Sequence, residues 1–449
     1  MKKGLLFIII LMNMMTFGYA QSILSQSSSG TGIRLNVLNY FDIDNTYGVA
    51  DQDFIWGEFE KRNPDVTIVR EDNYNEPFHS QTEMYAVYGN LPDVLFVWPG
   101  GRSITLHQKK LLKDLAPLID KDGLRNTYVP QALNMSKQVS NYQSMIPMTV
   151  TASHAFYVNL EVLRDCGLQP AKTYAELKAQ VPVLRAKGYE TVLMPNESTW
   201  VMQSCLLSMI AGRFCGPDWH DKILKGQSKF TNRDFIAALN FIRQMYTDGV
   251  LAISSLDMDY VDGPGLFAAN KGAYYIDGDW RFADFITNGN TRGALISPAR
   301  QNNFLVTVFP DIENAKINKS TSIIAGGGWA MSAAIPAGSQ KEDAAWRLIK
   351  WLTGVEVQTL NVESREVSNP VNRGVDINKL NLEPIQKAAA NLGNQYTTGT
   401  IIIDAIFEAG IYEPINDGLR AIALGTKTPQ QVAVEVQSSF DSGRKAGYW

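Results

Sequence analysis

An α/β fold is predicted for this chain, and three features of the sequence carry the prediction. Short β-rich runs alternate with helix-period segments along most of its length. Of its 449 residues 45% are hydrophobic and 19% charged, a composition that supports globular cores of domain size. Side chains able to cap a helix stand just where the helical period begins.

The chain opens with Lys2 and Lys3, an apolar run from Leu5 to Met12, and the small residues Gly18 and Ala20. This pattern predicts a signal peptide over residues 1–20, cleaved before Gln21. The run is shorter than the roughly 20 residues that a membrane-spanning helix needs. No Cys lies near the cleavage point, so no lipid anchor is expected. Residues 21–32 are Ser-rich and read as a tether. The mature protein is then expected outside the cytoplasm, periplasmic or extracellular.

From there strands are expected at Ile33–Phe41, Val66–Val69, Val94–Trp98, Ala155–Val158, Thr191–Met194, Ala273–Ile276, Leu305–Phe309 and Ile323–Met331. Helical patterns between them predict βαβ units and largely parallel sheets. Thr173-x-x-Glu176, Thr231-x-x-Asp234 and Thr428-Pro429-x-Gln431 each place an acceptor where a first-turn amide needs one. Residues 343–352 alternate apolar and charged positions at helical spacing, with Trp346 and Trp351 expected as packing. No repeat, heptad or long linker follows Gly32, as expected of two lobes between which the chain passes more than once.

A net charge of -4 and a pI near 5.7 give no basic field and exclude a nucleic-acid or anionic-membrane partner. Cys205 and Cys215 have a spacing that permits pairing, but the expected role of all three cysteines, with Cys166, is that of buried small hydrophobes. The four histidines share no metal-ligand spacing, and no nucleophile elbow or nucleotide loop occurs. Neither a metal nor a cofactor is therefore expected.

In order and spacing the chain resembles the family 1 extracellular solute-binding proteins of ABC importers, the group that includes maltodextrin-binding proteins. The resemblance rests on Phe59 to Val66, on Leu91-Pro92-Asp93-Val94, on Leu111 to Leu115 (with Lys110 where the family has glycine) and on Ile146-Pro147. It continues through Phe156 to Asn159, Gly167 to Leu177 (Tyr174 replacing Trp), Phe267 to Trp280 and Gly326 to Trp329. It implies two α/β lobes joined by a multi-strand hinge, with a ligand cleft between them. The N-terminal lobe is expected at 33–147 plus 310–366 and the C-terminal lobe at 148–309 plus 367–449, with crossings near Pro147, Pro310 and Pro370. The implied activity is capture of a sugar or oligosaccharide and delivery to an importer permease, by a monomer without catalytic residues.

Sugars present apolar C–H faces ringed by hydroxyls, so their sites combine aromatic rings with planar polar groups. In α/β lobes such sites lie beyond the carboxyl ends of strands. Those rules and the family positions select Tyr40, Asp42, Asp44, Trp98, Trp200, Asp279, Trp280, Gly327, Gly328, Trp329 and Tyr412. Arg102 is expected as a solvated loop residue and His154 as a structural one. Rival readings stay open. Asp257/Asp259 or Asp277/Asp279 are carboxylate pairs of the type that serve glycoside hydrolases. A polyamine binder would demand several cleft carboxylates, a binder of phosphorylated sugars would use an Arg, and a receptor subunit would dock on a membrane sensor.

Overall fold

The computed structural model describes residues 32–446, apart from 42–48, 138–140, 288–293, 365–366, 368 and 399. The expected signal peptide, nearly all of the tether, and Asp42 and Asp44 lie outside the described residues. Strands are β1 (Ile33–Tyr40), β2 (Val66–Asn73), β3 (Val94–Val97), β4 (Ile146–Pro147), β5 (Val150–Ala152), β6 (Ala155–Asn159) and β7 (Glu190–Leu193). They continue with β8 (Gly272–Asp277), β9 (Phe304–Thr307), β10 (Ser320–Thr321), β11 (Ile323–Ala325), β12 (Gly328–Met331) and β13 (Thr397–Thr398).

Two larger sheets organise the chain. The first runs β2-β1-β3-β12-β4 and the second β7-β8-β6-β9. Each has its own core. Leu35, Val37, Ile55, Phe59, Trp346 and Ile349 pack on the first sheet. Phe156, Leu177, Ile210, Leu239 and Tyr274 pack on one side of the second, with Tyr157, Phe267 and Phe285 in a further cluster. Burying each such side chain contributes about 1.5–3 kcal/mol. The result is an N-terminal and a C-terminal lobe.

The sheets are mixed rather than largely parallel. β1 pairs parallel with β2 and β3, but β12 runs antiparallel to both of its neighbours. In the second sheet only β7 and β8 are parallel. The expected strand Ile323–Met331 is two strands, because β11 pairs antiparallel with β5 in a separate ribbon while β12 enters the N-terminal sheet. The break falls at Gly326-Gly327, where a Cβ would come within 2.5 Å of the Thr149 side chain and 2.2 Å of the Phe96 ring.

Capping follows the sequence at two of three sites. Thr173 and Glu176 form a capping box at Tyr174–Ala186, and Thr428 and Gln431 exchange the same bonds before Pro429–Ala446. At Arg233–Thr247 the cap is Asn232, whose side chain accepts from the Asp234 amide, one residue beyond the expected Thr231. Lys110 has φ +52°, so the position where the family has glycine does need a left-handed backbone.

Lobe membership shifts at two crossings. Residues 310–318 pack with the C-terminal lobe: Ile312 joins its core, and fully buried Arg213 donates to the carbonyls of Phe309 and Pro310 at 2.7 and 2.6 Å. Burial among these neutral acceptors pulls the Arg213 pKa down to about 10. Val371 and Asn372, expected in the C-terminal lobe, pack in the N-terminal one, where the Val129 amide donates to the Val371 carbonyl. A proline marks an extended connector; which lobe the connector lies against depends on a distant partner such as Arg213.

The cysteines are all unpaired, Cys205 buried and the other two half-buried. Trp346 and Trp351 pack as expected, donating to Asp122 and to the Ile55 carbonyl.

Candidate functional site

The lobes face each other across a cleft of about 510 Å³. From the N-terminal lobe it is lined by Glu76, in the first turn of the Asn75–Tyr88 helix, and by Arg102, on the loop that follows β3. The C-terminal lobe contributes residues 197–200 after β7, Asp259, and Glu413 and Asn416 on the Ala409–Ala423 helix.

Trp200 opens the helix that runs on into a π-helical turn, Met202–Leu207. Its ring packs against Tyr260 at 5.1 Å and Trp280 at 6.3 Å. Behind it the Trp280 indole donates to the Tyr260 hydroxyl at 2.9 Å, and the Arg281 guanidinium lies 4.0 Å from the Tyr260 ring centre. Arg281 pairs in turn with Asp277 at 2.8 Å, both buried. Trp200 is thus a ring held on a braced aromatic stack, the arrangement that lets an aromatic face meet a sugar's C–H face without reordering.

The polar rim is rich in acceptors. Asn416 is 3% exposed and donates to Glu413 at 3.3 Å, while its Oδ1 meets no donor among the described residues. Burial raises the Glu413 pKa, and nearby Glu76 pushes it the same way. One oxygen of Asp259 accepts from the Val261 amide at 2.6 Å.

Arg102 spans the cleft. Its Nη1 donates to Glu76 of its own lobe at 3.2 Å and its Nε to Asp404 of the other lobe at 3.0 Å; its guanidinium stands 5.9 Å from the Tyr412 ring centre. Burial works against its charge, but Asp404 and Glu76 outweigh it and hold Arg102 firmly protonated. Asp404 also accepts from the Ser204 hydroxyl at 2.8 Å, and His154 donates to the Ser204 carbonyl at 3.2 Å, so the pair is anchored in the π-helical turn. Beside Arg102, a Cβ on Gly100 (φ +103°) would lie 1.7 Å from the Ala405 carbonyl oxygen, and one on Gly101 2.0 Å from that of Phe407. The glycines let the two lobes' main chains meet.

Residues 44–359 match the family described as bacterial extracellular solute-binding protein. The chain belongs to that family.

No curated relative matches. Among solved structures this solute-binding protein is similar to a protein of xylan utilization by the thermophilic bacterium Caldanaerobius polysaccharolyticus, at 20% identity and TM-score 0.77, over 90% of this chain and 99% of that one. A chitin oligosaccharide binding protein matches at 17% identity and TM-score 0.79, over 92% and 99%. A maltose/maltodextrin-binding domain from Bdellovibrio bacteriovorus, bound to maltotriose, matches at 17% identity and TM-score 0.68, over 92% and 100%. At these identities the likeness is one of fold, the two-lobed fold of periplasmic solute-binding proteins.

In this solute-binding protein the residues selected from sequence separate into groups. Trp200 lines the cleft, Trp280 braces it from behind, and Tyr412 lies under Arg102 beside Glu413. Tyr40 and Trp98 pack edge-on against each other at 4.7 Å, in a ring cluster with Phe78, Phe96 and His79. Neither is among the residues that line the 510 Å³ cleft. Asp279 is fully buried, with its carbonyl accepting from Tyr157. Trp329 is corrected to core: it is 3% exposed between Trp56 and Phe96, its indole donating to Met148 Sδ at 3.1 Å. Gly327 and Gly328 make room for the Phe96 ring and the Ile146 carbonyl oxygen, 2.2 and 2.1 Å from where their Cβ atoms would stand, rather than for a ligand. Arg102 is a partly buried inter-lobe ion pair rather than a solvated loop residue.

Glu76, Glu197, Ser198, Thr199, Glu413 and Asn416 were not selected from the sequence, and Asp259 was named only in a carboxylate pair of the glycoside-hydrolase type. Glu76 had a signal: it lies just beyond the carboxyl end of β2, and the strand-end rule reaches it when applied to that strand.

Proposed function

We propose that this chain is an exported binding protein that captures a sugar or oligosaccharide between its lobes and delivers it to an ABC importer. The observation that carries the reading is the inter-lobe cleft itself: a braced Trp200 ring beside convergent acceptors from both lobes, in a chain of the extracellular solute-binding family. The saccharides named for structures of the same fold support it. Bridging both lobes favours the closed form through contacts that only closure completes, and closure presents the surface a permease reads. No role in this cycle calls for turnover. The reading of export rests on the N-terminal pattern, which is that of a signal peptide. A thermal-melting panel of mono- and oligosaccharides tests the reading. A ligand at a hundred times its Kd adds about 2.7 kcal/mol and raises the midpoint by several degrees. A panel in which no saccharide moves the midpoint argues against it.

A further inference from the structure

The charge lining the cleft is unbalanced. Four carboxylates border it, those of Glu76, Glu197, Asp259 and Glu413, against one cation, Arg102. That cation is already engaged, by Asp404 on one side and Glu76 on the other. No lysine lines the cleft among the described residues. A second, independent feature points the same way: Asn416, a cleft-lining residue only 3% exposed, has a side-chain carbonyl oxygen with no donor among the described residues, and that oxygen can only accept.

An occupant that shuts out water must replace the hydration of these groups. An anionic solute, such as a uronate or a phosphorylated sugar, would add a like charge. A neutral sugar supplies hydroxyl donors and leaves the net charge as it was. A solute carrying an ammonium group satisfies the acceptors and cancels charge together, and the Trp200 face suits a cation as well as it suits a sugar ring. Resting on the saccharide reading above, we infer that the preferred ligand is an amino-bearing saccharide, held through its protonated amine by the carboxylates Glu197, Asp259, Glu413 and Glu76.

Calorimetric titration of the mature chain, at low salt and mildly acidic pH, with four probes tests this: the β-1,4-linked glucosamine trimer, its fully N-acetylated form, maltotriose and spermidine. The expected result is that the glucosamine trimer binds about tenfold or more tighter than the acetylated trimer or maltotriose. Glu197→Gln combined with Asp259→Asn then removes most of that preference while the melting midpoint stays in place. Equal or tighter binding of a neutral trimer overturns the charge inference and leaves the saccharide reading standing. Binding of spermidine with no saccharide keeps the charge inference and overturns the saccharide reading. Silence from all four overturns both.

Discussion

Trp200 and Trp329 each follow a turn in the sequence, but they do different work. Trp329 sits on β12, which lies between β3 and β4, and its register opposite Phe96 and Ile146 turns the indole into the core beside Trp56. Trp329→Ala is expected to destabilise the fold by about 3–5 kcal/mol, read as a lowered denaturant midpoint, while the folded fraction keeps its ligand affinity. Loss of affinity at unchanged stability would place the ring in the site instead. The sequence marks both tryptophans as strand-end or helix-end aromatics. It does not say which face of a central strand meets helices and which meets the cleft, because a strand covered on both sides has no polar alternation to read. Tyr40 and Trp98 likewise stand at strand ends, where their rings pack edge-on against each other at 4.7 Å. Arg102 was misplaced because its partner Asp404 lies 302 residues away.

At the scale of elements, the glycine pair after Trp98 stands plainly in the sequence, but the partner it admits does not. Gly100 and Gly101 face the carbonyls of residues 404–407, a segment that no local pattern links to them. Strands are readable because the period-2 pattern is local; the contact between a loop and a segment some three hundred residues on is set by tertiary packing. Gly100→Ala combines an unfavourable positive φ with a Cβ 1.7 Å from the Ala405 oxygen. The variant is expected to hold the lobes apart, with a larger radius of gyration by small-angle scattering and ligand affinity lowered about tenfold or more. Scattering identical to that of the wild type would mean that this contact does not set the closed geometry. The Pro310 and Pro370 crossings show the limit from the other side: both were legible as extended connectors, but Arg213 and Val371 decide which lobe each joins.

For the whole molecule, the α/β class, the two lobes and the family were legible, since each is written many times along the chain in spacing and order. Site membership was legible only in part, at Trp200 but not at Glu76 or Asn416, because it depends on how one lobe faces the other. A pH response also belongs to this scale. Burial drops His154 and His79 to about 3 and His107 to about 4, so all three stay neutral in the fold well below 6.5. In the unfolded chain they take up protons below about 6.5. Their folded pKa values are depressed, so stability is full above that pH and is lost as pH falls, by up to about 1.4 kcal/mol per unit for each histidine. Urea midpoints should decline between about pH 6.5 and 5, before most carboxylates titrate, and His154→Asn should flatten the slope. A flat profile over that range contradicts the burial argument.

The most direct test of a saccharide clamped between two lobes on a braced ring is calorimetric titration of the wild type and Trp200→Ala with the saccharides that raise the melting midpoint. The account predicts one ligand per chain and a loss of about 1–3 kcal/mol, roughly 5- to 150-fold in Kd, in the variant. An unchanged Kd in Trp200→Ala, or no heat from any saccharide in the wild type, would contradict it.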